Sequence, residues 1–243
     1  ACVDDLLDAV LALSESAKNK KDSFDEKAHH ELAKRAAAES TVLLKNTDHI
    51  LPLQTGAKVA VIGDFAVEPR YQGAGSSMVN PTRLDSVQLI IKDYDLQVVG
   101  VSRGYQRTGG ENAAMEKEAL DIAAAADVVL YFFGLDELSE SEGLDRTHMR
   151  IPQNQIDLLK AIVQVNPNIV GILSAGSAIE MPWQYCCKGI LHGYLDGQAG
   201  ANAILDILVG KINPSGRLSE TYPIRYEDTP AFRNFPSTER NAE

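Results

Sequence analysis

The sequence predicts an α/β fold, a three-layer α/β/α sandwich around a mostly parallel sheet of about six strands. Short apolar segments alternate along the chain with longer amphipathic segments of helical period, which is the pattern of repeated β-α units. Several apolar segments, such as residues 128–133, lack the alternation of a half-exposed strand, so we expect both of their faces to be covered. The chain has 243 residues, 44% of them hydrophobic, which is enough for one large domain or two small ones.

The predicted elements begin with two helices. Apolar residues recur at helical spacing from Val3 to Leu13, and the polar, lysine-rich segment after them is expected to be an exposed linker. A second helix begins near Lys27 and continues through an alanine-rich segment. Strands are then predicted at residues 41–44, 59–62, 96–101, 128–133, 169–173 and 189–194, with amphipathic helices at 84–93, 112–125, 152–165 and 199–209. From Asn213 onward the chain is rich in proline and polar residues, which predicts a segment on the surface.

Charge and cysteine content argue against several partners and locations. A net charge of -11 and a pI near 4.9 disfavour nucleic acid and anionic membranes, because both would be repelled. No apolar run approaches the roughly 20 residues that cross a bilayer. The three cysteines are odd in number and two of them, Cys186 and Cys187, are adjacent, so no disulfide framework is visible. Since no signal peptide is seen either, we expect a cytoplasmic location.

An acidic segment follows the apolar run at residues 128–133 and is the leading candidate for chemistry. Loops that leave the carboxyl ends of strands build the sites of open α/β sheets. Crowded carboxylates disfavour one another's ionisation, so we expect one of them to stay protonated near neutral pH and to serve as a proton donor. Gly143 permits a sharp turn, and Arg146 is close enough to hold one neighbouring carboxylate in its charged form. The five acids are Asp136, Glu137, Glu140, Glu142 and Asp145.

A glycine-rich segment at residues 72–77 is the second candidate. It contains no GxGxxG or GxxxxGK[ST] pattern and lies several residues beyond the strand, which argues against a phosphate cradle. A loop whose backbone approaches a polar ligand fits better. Its candidate hydrogen-bonding residues are Arg70, Gln72, Ser76 and Ser77.

Other motifs are incomplete, and no metal or cofactor is predicted from them. His30-Glu31 opens like a zinc HExxH motif, but the second histidine is absent. The acidic segment lacks the spacing of a calcium loop, and Ser174 lacks the preceding glycine of a nucleophile elbow. Trp183 could stack on a sugar, but we interpret it as a core residue because large aromatic side chains are mostly buried.

Taken in order, several segments resemble the C-terminal α/β sandwich domain of glycoside hydrolase family 3, the family of β-glucosidases and β-xylosidases. The resemblance covers about residues 27–236, and the order of its motifs is more specific than any one of them. The segments are AHHELAKRAAAESTVLLKN, KVAVIGDFA, YQGAGSSMVNPTRLDS, ESEGLDR, NPNIVGILSAGSAIEMPW and GQAGANAILDILVGKINPSGRLSETYP.

The resemblance implies a site and a reaction. The family motif Ser-Glu-Gly-x-Asp-Arg places the catalytic acid/base at Glu142, with Glu140 as the rival two residues earlier. It also implies that the glycine-rich segment approaches the mouth of the active site. Arg146 is a further candidate for substrate binding. The expected activity is retaining hydrolysis of terminal β-linked sugars, with a glucoside or xyloside as substrate and no cofactor. The alternatives are a non-catalytic carbohydrate-binding module and a nucleotide-binding α/β module.

The family's nucleophilic aspartate lies in a preceding (β/α)8 barrel, which this chain does not contain. We therefore expect residues 1–26 to be a helix and linker from the end of that barrel, residues 27–236 to be the sandwich domain, and residues 237–243 to be a truncated tail. The barrel is the expected partner of the sandwich. On its own the chain is expected to be inactive, because a proton donor without its nucleophile lacks the covalent step.

Overall fold

The computed structural model describes residues 2–18, 20 and 23–235, and within them the chain forms a six-stranded sheet flanked by helices. The strands are β1 (Val42–Asn46), β2 (Lys58–Ile62), β3 (Gln97–Ser102), β4 (Val128–Gly134), β5 (Ile169–Ser174) and β6 (Gly189–His192). The α-helices are α1 (Cys2–Ala17), α2 (Glu26–Ser40), α3 (Asp64–Val67), α4 (Val87–Ile90), α5 (Ala113–Ala124), α6 (Gln153–Val165) and α7 (Gly200–Leu208). All six predicted strands are confirmed, with ends that differ by a few residues.

The strands lie in the order β1-β6-β5-β4-β2-β3. The pairs β2–β3, β2–β4, β4–β5 and β5–β6 are parallel, and only β1 at the edge runs antiparallel to its neighbour β6. The mostly parallel sheet is therefore confirmed. Because β5, β4 and β2 are consecutive and parallel, the loops that follow them leave the sheet at one edge.

The two faces of the sheet carry separate hydrophobic clusters. On β4, Tyr131 and Phe133 belong to the cluster that includes Ala119 of α5 and Leu159 of α6. The intervening Phe132 belongs to the opposite cluster, together with residues of α3, α4 and α7. Burying each such side chain contributes about 1.5–3 kcal/mol, so the uninterrupted apolar run of β4 anchors both outer layers. This confirms the three-layer sandwich.

Side-chain caps and small residues fix the helices in place. Asp25 caps α2 by accepting a hydrogen bond from the backbone N–H of Ala28 at 2.9 Å. Ala37 and Ala38 of α2 are buried with Ala203 of α7, so the alanine-rich segment allows the two helices to approach closely.

The structure differs from the sequence prediction in two places. The helix predicted at 84–93 is a short α4 followed by a 3-10 turn at Ile91–Asp93. The sixth strand ends at His192, because Tyr194 adopts a φ of 56°, which is incompatible with a strand.

Several other predictions concern single segments. Trp183 is 2% exposed and packs edge-on against Phe133 with ring centroids 4.7 Å apart, so its interpretation as a core residue is confirmed.

The first helix is confirmed as α1, which has no buried residue. Its origin in a barrel stays a prediction. The expected tail at 237–243 lies outside the described residues. No helix in the described part of the chain is both long and apolar enough to span a bilayer.

Candidate active site

Three loops meet at the carboxyl edge of the sheet. The acidic loop (residues 135–150) follows β4, the glycine-rich loop (residues 72–77) comes after β2 and α3, and the loop at residues 175–178 follows β5. Gly134 allows the acidic loop to leave β4 pressed against β5. It has a φ of +148°, and an added Cβ would lie 1.8 Å from the backbone oxygen of Ser174. No other residue fits this position without a shift of backbone.

Glu142 joins the acidic loop to the glycine-rich loop. Its Oε2 accepts hydrogen bonds from the backbone N–H of Ser76 at 3.0 Å and from the Ser76 hydroxyl. In return, the backbone N–H of Glu142 donates to the backbone oxygen of Ala74 at 3.3 Å. The side chain is nevertheless exposed, so its carboxyl group is accessible at the edge of the sheet.

The two hydrogen bonds from Ser76 lower the pKa of Glu142 below its ordinary value, the hydroxyl having the larger effect. In the chain as described, crowding in the acidic segment therefore does not raise the pKa of this carboxyl group. Crowding is relieved because neighbouring acids have separate partners. Asp136 accepts from the backbone N–H groups of Leu138 and Ser139, and Glu137 pairs with Arg107.

Close packing between the two loops requires glycine at residue 75. Gly75 has a φ of +91°, and an added Cβ would lie 3.0 Å from Cβ of Glu142. Gly143, on the other side of Glu142, has a φ of +77° but open space around it. The glycine at 75 is thus needed for both conformation and contact, whereas the glycine at 143 is needed for conformation alone.

Glu140, the rival of Glu142, lies in a different environment. Its carboxylate accepts hydrogen bonds from the backbone N–H of Gly176 at 2.8 Å and from the Ser177 hydroxyl at 2.6 Å. It is partly buried, and both of its oxygens are engaged by the loop after β5. The two glutamates therefore reach toward opposite neighbours, Glu140 toward β5 and Glu142 toward the loop after β2.

Arg146 also reaches the loop after β5. It donates to the Ser177 hydroxyl at 2.8 Å and to the backbone oxygen of Ala178 at 2.9 Å. The expected ion pair between Arg146 and a neighbouring carboxylate is not formed within the described residues. The reason is that Glu140 and Arg146 both bind Ser177, so the hydroxyl lies between the opposite charges.

The residues predicted around the glycine-rich loop have different surroundings. Ser76 and Ser77 are exposed. The Gln72 amide bonds both backbone groups of Val79, at 3.1 Å through its nitrogen and 2.9 Å through its oxygen, and so braces the loop. Arg70 is only 2% exposed and donates to the backbone oxygen of Glu140 at 3.0 Å. Substrate contacts by these residues stay predictions.

An ionic cluster that lies around the buried Asp64 and includes Glu137 of the acidic loop was missed in the sequence. Asp64, which follows β2, accepts from Arg103 and from Arg107, the latter at 2.5 Å. Arg107 also donates to Glu137 at 3.0 Å, and Nε of Arg70 lies 3.8 Å from the same carboxylate. The close spacing of Arg103 and Arg107 after β3 was the available signal. The cluster connects the segments after β2 and β3 to the acidic loop after β4.

The surface around Glu142 is open. A cavity of about 580 Å³ adjoins the acidic loop and is lined by Glu140, Arg146 and Glu220, but not by Glu142. Within the described residues, no group of three or more histidine, cysteine, aspartate or glutamate side chains is arranged to hold a metal ion. The arrangement presents Glu142 as an accessible carboxyl group whose side chain and backbone are both hydrogen-bonded to the glycine-rich loop.

The structure is an α/β sandwich with Glu142 accessible at the carboxyl edge of its sheet. The profile of the glycosyl hydrolase family 3 C-terminal domain matches residues 41–242, and the chain belongs to this family. It is 46% identical over 230 residues to thermostable β-glucosidase B of Acetivibrio thermocellus, covering 93% of this chain and 30% of that protein. It is 42% identical over 226 residues to an exo-α-(1→6)-L-arabinopyranosidase of Bifidobacterium breve, covering 89% and 30%.

A solved structure shows the same fold. The crystal structure of a family 3 β-glucosidase from Bifidobacterium adolescentis matches with a TM-score of 0.85 and 45% identity, over 93% of this chain and 33% of that one. The chain thus spans about a third of the length of these relatives.

Proposed function

We propose that this chain supplies the acid/base residue, Glu142, of a retaining β-glycosidase that removes terminal β-linked glucose or xylose. The observation that carries the proposal is the position of Glu142 in the family motif, exposed and held by Ser76 at the carboxyl edge of the sheet. In the first step Glu142 donates its proton to the glycosidic oxygen as the bond to the sugar breaks. In the second step the resulting carboxylate takes a proton from the attacking water.

The second carboxyl group is proposed to lie in a preceding (β/α)8 barrel domain. Retaining hydrolysis requires a nucleophile about 5–5.5 Å from the acid/base across the glycosidic bond. Glu140 is not proposed for that role, because its carboxylate is directed toward Gly176 and Ser177 after β5, whereas Glu142 is directed toward Ser76. The open surface around Glu142 also needs a covering partner, since a water-excluding site strengthens the interactions that stabilise the transition state.

We propose that protonation of Glu142 before the reaction depends on its burial by the barrel domain. In the chain as described, hydrogen bonds from Ser76 lower the pKa of Glu142, which favours the charged form. A proton donor must hold its proton at the working pH. Burial under a barrel disfavours the charged form of Glu142, so it raises the pKa of this carboxyl group.

Replacing the proposed donor tests the role directly. In the full-length enzyme, Glu142→Gln is expected to lower kcat/KM, which reports the proton-donation step, by about 10²- to 10⁴-fold for substrates with poor leaving groups. Activated aryl glycosides should lose much less, because their leaving groups depart without a proton. A plot of rate against leaving-group pKa measures this, and an equal loss for all leaving groups would contradict the proposal.

The isolated chain is expected to show negligible turnover. The assay uses aryl β-glucoside, β-xyloside and α-L-arabinopyranoside, because the relatives carry names that specify different sugars. The full-length enzyme is the positive control. Turnover by the chain close to that of the full-length enzyme would show that the nucleophile is present here.

The cytoplasmic location is likewise a proposal. Cys2, Cys186 and Cys187 are all free thiols, which fits a reducing compartment. Detection of the protein in the culture medium or periplasm instead of the cytoplasmic fraction would contradict it.

A further inference from the structure

The hydrogen bonds of Glu140 have no part in the proton transfer described above, yet they engage both oxygens of its carboxylate. Oε2 accepts from Gly176 N–H at 2.8 Å and Oε1 accepts from the Ser177 hydroxyl at 2.6 Å. We propose that Glu140 is a positioning residue, which fastens the acidic loop to the loop after β5 and thereby sets the location of Glu142. The inference rests on the proposed role of Glu142 as the acid/base.

Glu140 is held from two sides. Its carboxylate binds the loop after β5, while its backbone oxygen accepts a hydrogen bond from Arg70 at 3.0 Å. Arg70 is 2% exposed and lies near the end of β2, on the opposite side of β4 from β5. Glu140 thus connects the acidic loop both to the loop after β5 and to Arg70, which follows β2.

The fit around the carboxylate is close. An added Cβ on Gly176 would lie 3.2–3.3 Å from the carboxyl carbon and both oxygens of Glu140. Arg146 donates to the same Ser177 hydroxyl that Glu140 accepts from, so the positive charge supports the contact through that hydroxyl. We call this set, Glu140 with Gly176, Ser177 and Arg146, the β5 clasp.

The β5 clasp acts on Glu142 through a short connection. Only Ser141 separates the two glutamates, so a shift at residue 140 is transmitted to residue 142 with little room for compensation. Misplacing a catalytic group by about 1 Å costs about 10²-fold in rate. The expected signature is therefore a loss of kcat with the chemistry of Glu142 retained.

The experiment uses the full-length enzyme with Glu140→Gln, Glu140→Ala, Ser177→Ala and the Glu140→Ala/Ser177→Ala double variant. Glu140→Ala is expected to lower kcat about 10- to 100-fold with a smaller change in KM. Glu140→Gln should lose less, because its amide oxygen still accepts one hydrogen bond. The double variant should lose less than the product of the single losses, since both remove the same contact. Glu116→Gln, the same chemical change at an exposed position of α5, is the matched control.

Azide separates a positioning residue from an acid/base. On an activated aryl glycoside, azide can attack the sugar in place of water, forming the carbon–nitrogen bond as the bond to the nucleophile breaks, and it needs no base. Azide is therefore expected to restore turnover to Glu142→Ala, yielding the glycosyl azide, and not to Glu140→Ala. Rescue of Glu140→Ala instead would overturn the inference.

Hydrogen exchange tests the β5 clasp without relying on activity. In Glu140→Ala and Glu140→Gln, the amides of residues 174–178 should exchange faster than in the wild type, while thermal unfolding confirms that the variants fold. Unchanged exchange in both variants overturns the inference. If exchange is faster but azide rescues neither glutamate variant, the contact stands and the proposed role of Glu142 fails, so the two failures are distinguishable.

Discussion

At the scale of single residues, Glu142 shows how hydrogen bonds override the effect expected from neighbouring charge. The sequence indicated mutual repulsion among five carboxylates, which would raise the pKa of one of them. In the structure each of three neighbours, Asp136, Glu137 and Glu140, has its own donor. Glu142 receives two hydrogen bonds from Ser76 and has its pKa lowered. The motif could be located from the sequence, but Ser76, the donor to Glu142, lies in a loop that is distant along the chain.

Ser76→Ala is expected to raise the pKa of Glu142, because the hydroxyl that stabilises its charged form is removed. Carbon-13 NMR titration of the Glu142 carboxyl group in this chain measures the change. In the full-length enzyme, the alkaline limb of the pH profile of kcat/KM should move to higher pH, because Glu142 stays protonated up to a higher pH. Ser77→Ala is the control for the NMR titration. An unchanged titration midpoint in Ser76→Ala would contradict the assignment.

At the scale of elements, the strands could be predicted and the contacts between loops could not. β4 and β5 are nearly continuous apolar runs, and this composition predicts that both of their faces are buried. The contact between Gly75 and Glu142 depends instead on the order of β2, β4 and β5 in the sheet, which local patterns do not specify. The helix predicted at 84–93 was too long for a similar reason, since apolar spacing does not reveal where a helix tightens into a 3-10 turn.

Two glycines that flank Glu142 provide a matched test of the loop contact. Gly75→Ala and Gly143→Ala should each cost about 1–3 kcal/mol in unfolding free energy, because both positions have positive φ. Only the alanine at 75 also collides with Glu142. In the full-length enzyme, Gly75→Ala should therefore lower kcat/KM more than Gly143→Ala. Urea unfolding and kinetics measure the two effects, and equal kinetic losses would contradict the contact.

At the scale of the whole molecule, a buried histidine joins the sheet to the C-terminal segment. His192 at the end of β6 is fully buried, with Nε2 2.7 Å from the Tyr222 hydroxyl and Nδ1 3.2 Å from the backbone oxygen of Leu173. Burial is the main cause that lowers the pKa of His192 to about 4. Residues 213–235, the described part of the proline-rich segment, lie mostly on the surface as predicted, and this hydrogen bond anchors them to the sheet.

The depressed pKa of His192 predicts a loss of stability in mild acid. The unfolded chain binds a proton near pH 6.5 that the folded chain excludes until about pH 4, so stability falls as the pH drops through this window. The contribution is about 3 kcal/mol. His192→Gln should flatten this dependence in urea unfolding at several pH values. His49→Gln, at an exposed histidine, should keep the wild-type dependence, and a His192 variant that also keeps it would contradict the prediction.

At the ends of β2 and β4, a glycine packs directly against the backbone of the neighbouring strand. An added Cβ at Gly63, after β2, would lie 1.9 Å from the backbone oxygen of Phe132, just as one at Gly134 would lie 1.8 Å from that of Ser174. Neither position 63 nor position 134 can accommodate a side chain, because the backbone of the adjacent strand is too close. Glycine directly after each of these two apolar runs is therefore a diagnostic that can be searched for in uncharacterised genes, and a homologue with a bulkier residue there must align its strands differently.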